Sequence, residues 1–510
     1  MLDMTPEQWR DKLVADLAAR QADITRRRNY YDGKHLHPLA PKTDGDEYLR
    51  LAVLGEANLI PNIVDAVVDR SHPDGIMLTG KVAEDAAEWE RMWHGNGLET
   101  TFPMVFEETV KVGWAYTMTW PDDDSDVGVS ITGEDPTECI VGYHPADRRR
   151  AEANLKRFVA GDGAARTEYV ILWTRTGIYY WQRSLTEPAG ELWLPSGGSS
   201  GQWRLWGGPD DGEPVRDNPL GDLPLDEFTS KPKLYGPIQP EISDVAIRTT
   251  DRMNLRMFNS VVLGEHQAYP QRVALNIEIK TDKNGNPINP LKSGPDRVWT
   301  LNQDPETDAA AQITTLTAAD MTQGINVLRF DIQLLAMQTR TPMYELAGDL
   351  VNIAEDTVKA LGVSHVKKVR RHHANATDPL QGIVRKYHLA RGNKDLAARA
   401  NEAIVQWADP ELRTMNERAD AATKLTSVGY PFEAVASKAM GESPTEIAKL
   451  LEQKAAESVL GLLGGQAVSD PEDMQKRITS MKLLIDAGVT PTSAAEQVGL
   501  SGLEFTSGNA

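Results

Sequence analysis

Two stretches of the chain carry apolar residues at helical spacing, and the insert between them does not. From 235 to 269, Pro237 and Pro240 open the first stretch and Pro270 closes it, with no proline between. Proline is tolerated in the first helical turn, where an N–H lacks a partner anyway, and stops a helix elsewhere. One long helix is therefore predicted. From 320 to 340, Ile325, Leu328, Ile332 and Leu335 recur at three- and four-residue intervals. That spacing predicts a second helix with one narrow apolar seam. In the insert at 270–319 the period changes. Val273, Leu275, Ile277 and Ile279 alternate as in a strand, Asn284-Gly285 marks a tight turn, and 297–301 offers another strand.

Upstream, Thr5 and Gln8 have capping-box spacing with Pro6 between them, so a helix is predicted from 5 to 29. A second is predicted over 58–70, with Ile63, Val67 and Arg70 on one side and Ala66 beside them. His72-Pro73-Asp74-Gly75 reads as a turn. Residues 81–97 read as a polar helix whose Trp89 and Trp93, one turn apart, form a packing stripe. From 114 to 206 the pattern shortens to strands at 115–120, 127–131, 169–174, 178–182 and 202–206, a meandering antiparallel sheet. Residues 207–234, rich in Pro, Gly and Asp, read as a linker. Downstream, Pro342 should break the second long helix, Gly348-Asp349 permits a bend, and a helix resumes near 354. Residues 395–510 read as mostly helical. A weak repeat runs through them: Lys424-Leu425 precedes Gly429 and Pro431, as Lys482-Leu483 precedes Gly488 and Pro491. The elements together make an α+β chain.

The 510 residues suit about three domains. No apolar run reaches the roughly 18 residues of a membrane span, and no signal peptide is expected. The single Cys139 excludes an intrachain disulfide and a cysteine zinc site. A reducing cytoplasm is expected. A net charge of −20 argues against a protein that grips DNA, because grip needs Lys and Arg to displace phosphate counterions. It is compatible with a wall that DNA slides past, and equally with simple solubility.

Candidate chemistry is sparse. His35 and His37 lack a third metal ligand. The acids of Pro121–Asp126 alternate like a calcium loop, but Val127 stands where the loop needs Gly and Gly133 where it needs Glu, so an acidic hairpin tip is expected. Gly197-Gly198-Ser199-Ser200-Gly201 matches G-x-S-x-G without the strand and helix that a nucleophile elbow requires. A hydrolase using Ser199 is the enzymatic alternative. No phosphate-binding loop of the Walker type occurs, and no metal or cofactor is expected. In the first long helix, Arg248, Asp251, Arg252, Asn254 and Arg256 suit either a solvated face or pairing with a neighbouring subunit. Lys367, Lys368, Arg370 and Arg371 form the one basic patch, a subunit interface or a phosphate contact. Adjacent His372 and His373 point apart on a helix, and the scarcity of aromatics near the patch disfavours single-strand binding.

Several runs, in order, resemble the portal proteins of tailed phages of the SPP1 type: YYDGKHLHPLAP, NLIPNIVDAVVDR, DRMNLRMFNSVVLGEHQAYPQR, GPDRVWTL and WADPELRTMNERADAATKLTSVGYP. They cover most of residues 28–450. The resemblance implies an N-terminal helix and connector (1–57), a β-rich wing (58–234), stem helices (235–269 and 320–340), and a small clip between them (270–319). It also implies a tunnel loop (341–353), a long helix with wing return (354–418) and a helical crown (419–510). It carries over Leu346, Ala347, Gly348, Asp349, Leu350, Val351 and Asn352 as the channel loop, and makes Ile325, Leu328, Ile332 and Leu335 the stem packing. The implied function is not enzymatic. A twelve-subunit ring at one capsid vertex of the virion passes double-stranded DNA during packaging and ejection. Implied partners are the terminase large subunit, major capsid protein, head–tail connector and scaffold protein, with no membrane. A virion adaptor that forms no ring is the other alternative.

Overall fold

The structure is a computed structural model that describes residues 4–34, 45–161, 166–185, 201–268, 272–276, 312–315, 321–348, 355–411 and 413–462, with isolated positions at 283 and between 478 and 498. His35, His37, Asn284-Gly285, 297–301 and most of the second repeat copy lie outside the described residues.

Helix α1 (Pro6–Tyr31) begins at the expected capping box, with Thr5 N–H on Gln8 Oε1 at 2.9 Å and Gln8 N–H on Thr5 Oγ1 at 3.3 Å. It outruns the expected end at 29 because both tyrosines find partners. Tyr30 donates to Asp251 at 2.6 Å and Tyr31 to Asp65 at 2.9 Å. α2 (Gly45–Leu54) and α3 (Ile60–Val68) follow, the latter burying Ile63, Val64 and Val67. The expected turn at 72–75 is instead the start of strand β1 (Pro73–Met77). In α4 (Val82–Gly95) Trp89 stacks on Trp93 with centroids 4.3 Å apart, the predicted stripe. α5 (Leu98–Val112) was not predicted, since Pro103 interrupts its pattern, yet Phe102 and Phe106 extend the same aromatic column.

The strands are β2 (Trp114–Pro121), β3 (Val129–Glu134), β4 (Cys139–His144), β5 (Asp147–Ala160), β6 (Thr167–Trp173), β7 (Gly177–Ser184), β8 (Arg204–Leu205), β9 (Val215–Asp217) and β10 (Leu225–Thr229). One antiparallel sheet runs β4-β5-β6-β7-β8 with β9 also on β7, and another runs β10-β2-β3. The acidic run forms the β2–β3 turn, closed by Asp122 N–H on Gly128 O at 3.2 Å. The strand expected at 127–131 starts two residues later, and that at 202–206 shrinks to β8. β4 and β5 went unpredicted, the latter because it opens on exposed Arg148, Arg149 and Arg150. The expected linker at 207–234 contains β9 and β10. β10 pairs with β2 from Leu225–Met118 to Thr229–Trp114 and fully buries Phe228, so it is core. Trp9, Leu13 and Leu17 of α1 pack on Ile140, Leu155, Leu172 and Trp181 of the larger sheet. Gly142 permits that approach, since a Cβ there would lie 2.7 Å from the Trp9 ring.

The first long helix, α6 (Asp244–Ala268), starts nine residues later than expected. Pro237, in a bend, and Pro240 both precede it, and Gln239 between them bridges Lys231. Ser243 Oγ accepts from Ala246 N–H at 3.3 Å, which makes Ser243 the cap. β11 (Arg272–Leu275) and β12 (Gln312–Thr315) pair antiparallel and frame the insert. The second long helix, α7 (Met321–Thr339), a short α8 (Met343–Ala347) and α9 (Glu355–Ala390) follow. Then come α10 (Lys394–Arg399), β13 (Ile404–Trp407), α11 (Met415–Ser427), α12 (Phe432–Val435) and α13 (Pro444–Leu462). β13 breaks the helical expectation for this region and pairs with β1, Pro73–Trp407 to Met77–Ile404. The largest apolar core is organised on α9, through Val369, Leu380, Ile383, Val384 and Tyr387.

Candidate functional site: the root of the long helix pair

α6 and α7 run antiparallel. Successive contacts pair Thr249 with Gln338, Arg256 with Asp331, and Ser260 with Gly324. Asp331, 1% exposed, sits between Arg252 at 2.9 Å and Arg256. Tyr30 holds Asp251, and Asn254 Oδ1 accepts from Ala57 N–H at 3.2 Å. The charges of α6 thus pair within the chain, a third outcome beside the solvated face and the subunit contact. Arg248 is exposed.

The apolar seam of α7 is graded. Leu335 is fully buried, Ile332 packs against the core, Leu328 is half-buried, and Ile325 is 53% exposed. Val327, Phe330 and Met337 are exposed too. The seam packs at its root and lies open at the other end.

α7 ends in a corner. Arg340 takes φ +52°, Arg340 N–H reaches Met337 O at 3.4 Å, and Thr341 N–H reaches Ala336 O at 3.0 Å. These are the two bonds of a Schellman stop, where glycine is usual. Pro342 then caps α8. Asn62 donates to Glu345 O at 2.8 Å, and Arg70 bonds the Glu345 carboxylate at 2.7 Å, which ties α8 to α3. Leu346, expected to face a channel, is instead 6% exposed in the main core, because α8 turns that side chain inward. Ala347 and Gly348 are exposed. Asp349, Leu350, Val351 and Asn352 lie outside the described residues.

The basic patch divides. Lys367, Arg370 and Arg371 are exposed, and Arg370 pairs with Glu411 at 3.0 Å. Lys368 contradicts the expectation of a surface cation: it is 5% exposed, on the face of α9 that meets the α7 corner. Its Nζ donates to Thr339 O at 2.9 Å and Thr341 Oγ1 at 3.3 Å, and lies 3.6 Å from Glu241. Glu241, 1% exposed just before α6, also meets Lys231 at 2.8 Å and His372 at 2.9 Å. Burial alone would push the Glu241 carboxyl up. Lys368, the His372 bond and Lys231 overcome it and hold the group well below the usual range. Burial brings the Lys368 ammonium down to about 8 against the pull of Glu241. His373 turns the other way from His372, bonding Ser71 Oγ at 3.1 Å and stacking on Trp407 at 4.2 Å. His365 places Nδ1 3.1 Å from Arg340 O and Nε2 2.9 Å from Ala66 O.

One buried node therefore joins the start of α6, the end of α7 and the middle of α9. Sequence reasoning missed Glu241, Asp331 and His365. Asp331 had a visible sign, since it lies three residues after Leu328 and four before Leu335, on the seam itself. Ser199 lies outside the described residues. Among the described residues no three His, Cys, Asp or Glu side chains gather as a metal would need, and no helix is long and apolar enough to cross a membrane.

Residues 10–459 match the family of phage portal proteins described as SPP1 Gp6-like. The chain belongs to that family, whose members are structural components of the virion. It is 24% identical over 487 residues to the portal protein of Mycobacterium phage D29, covering 91% of this chain and 92% of that one. It is 24% identical over 482 residues to the portal protein of Mycobacterium phage L5, with the same coverage.

Proposed function

We propose that this chain forms a ring, of twelve copies by family resemblance, at one capsid vertex, and that double-stranded DNA crosses it during packaging and ejection. In this reading α6 and α7 are the stem and the β11–β12 insert is the clip that meets the terminase large subunit and the head–tail connector. The sheets of β2–β10 form the wing, and the helices after α11 form the crown. Major capsid protein and scaffold protein would meet the outer surface. The observation that carries the reading is the set of apolar side chains that α7 exposes on two sides in a single subunit, Ile325 at the open end of the seam and Val327, Phe330 and Met337 on the opposite side. A repeated head-to-tail interface, which gives each subunit a neighbour on either side, would cover both. The net charge of −20 supports a wall that a duplex slides past without sticking. Ala347 to Asn352 remain the proposed channel-loop positions, and Lys367, Arg370 and Arg371 the proposed basic contact with a neighbour or phosphate.

Native mass spectrometry of the purified chain, alone and with its scaffold and capsid partners, tests the reading. Closed oligomers of about twelve subunits are expected. A monomer under both conditions overturns it.

A further inference from the structure

Both ring nitrogens of His365 face backbone carbonyls, Arg340 O on one side and Ala66 O on the other. A carbonyl oxygen only accepts, and a neutral imidazole has one N–H. The ring can therefore bond one carbonyl and must turn a lone pair on the other. It is neutral at ordinary pH. Burial first, then the nearby charges of Lys368 and Arg70, bring it down to about 4. The charged groups that bear on it are Lys368 on its own helix and Arg70 beyond α3, both cations. Arg340 at the corner is exposed.

The two carbonyls belong to separate elements. Ala66 lies in α3, and Arg340 is the left-handed residue that turns α7 into α8. A residue with a Cβ is strained in that conformation, so the corner depends on what holds it. Lys368 holds its flanks through Thr339 O and Thr341 Oγ1, and His365 reaches its centre.

We propose that His365 is a positioning residue which sets the α7–α8 corner by giving its single ring proton either to Arg340 O or to Ala66 O. Donation to Arg340 O pins the corner to α9. Donation to Ala66 O pins α3 and releases the corner. The device belongs to the subunit and holds whether or not the chain forms a ring, so its failure and that of the ring reading are separate results.

Two substitutions divide the ring's functions. His365→Asn puts an amide N–H where Nδ1 stands, and His365→Gln puts one near Nε2. The readout is hydrogen–deuterium exchange of the 341–348 amides in the full chain at pH 7, by mass spectrometry. His365→Asn should stay within about twofold of wild type, and His365→Gln should exchange about tenfold faster there. Equal exchange in the two variants overturns the proposal, because a merely space-filling ring would be mimicked alike by both. If either variant loses its far-ultraviolet circular dichroism, the wild-type ring is read directly. Protein carrying ¹⁵N-histidine and ¹³C-carbonyl alanine identifies His365 through Ala66 in solid-state NMR. Two neutral tautomers are expected near pH 7, and a single fixed tautomer or a doubly protonated ring overturns the proposal.

Discussion

Glu241→Gln removes one charge from the node and almost nothing from its shape. The carboxylate is 1% exposed and meets Lys231 at 2.8 Å, His372 at 2.9 Å and Lys368 at 3.6 Å. Its loss leaves two ammonium groups facing a neutral amide. Removing one partner of a buried pair costs about 3–5 kcal/mol, because the other charge stays buried without compensation. The lower end applies here. Lys231 is 22% exposed and can turn to water, and Lys368 keeps Thr339 O and Thr341 Oγ1. The expected loss is therefore about 3 kcal/mol, read as a lower urea midpoint at unchanged slope. The folded Glu241 carboxyl lies below its unfolded value. Its contribution is complete above the ordinary glutamate range, about 4.3, and is lost as pH falls through the folded value. The gap between wild type and variant should be full at pH 7 and narrow in acid below about pH 4. A variant within about 0.5 kcal/mol of wild type at pH 7, or a gap that widens in acid, refutes the node.

The two ends of the α7 seam should respond differently. Leu335→Ala should cost about 2–5 kcal/mol in the isolated subunit by urea unfolding, whereas Ile325→Asp should leave subunit stability within about 0.5 kcal/mol and abolish closed oligomers in native mass spectra. Leu346→Ala should destabilise by about 2–5 kcal/mol, as a core residue does, and not behave as a surface loop change. Arg340→Gly should raise stability by about 1 kcal/mol, because glycine adopts the left-handed corner without a Cβ clash, and calorimetry would detect the higher midpoint.

What the sequence made legible was local. The Thr5–Gln8 box, the Trp89–Trp93 stripe, the β-rich middle and two long helices around an insert all depend on neighbours within a turn or a hairpin. What it hid depends on partners far along the chain. β1 and β13 pair across more than three hundred residues, and neither is long enough to show a period. β10 looked like linker because its Pro- and Gly-rich surroundings outweigh five residues whose partner, β2, lies a hundred positions earlier. The basic run in α9 looked like a surface patch because charge was counted without facing. Helical geometry sends Lys367 and Arg371 outward while Lys368 and His372 turn in to Glu241. Leu346 was read as a channel residue from the family resemblance, which gives a loop's place in the chain and not which of its side chains turns into the core.

An electron cryomicroscopy map of the assembled particle tests the central claim most directly. The account predicts a closed ring with α6 and α7 around the central channel, and Ile325, Val327 and Phe330 of each subunit against its neighbour. A particle without a central channel, or a ring in which those three side chains stay in solvent, would contradict it.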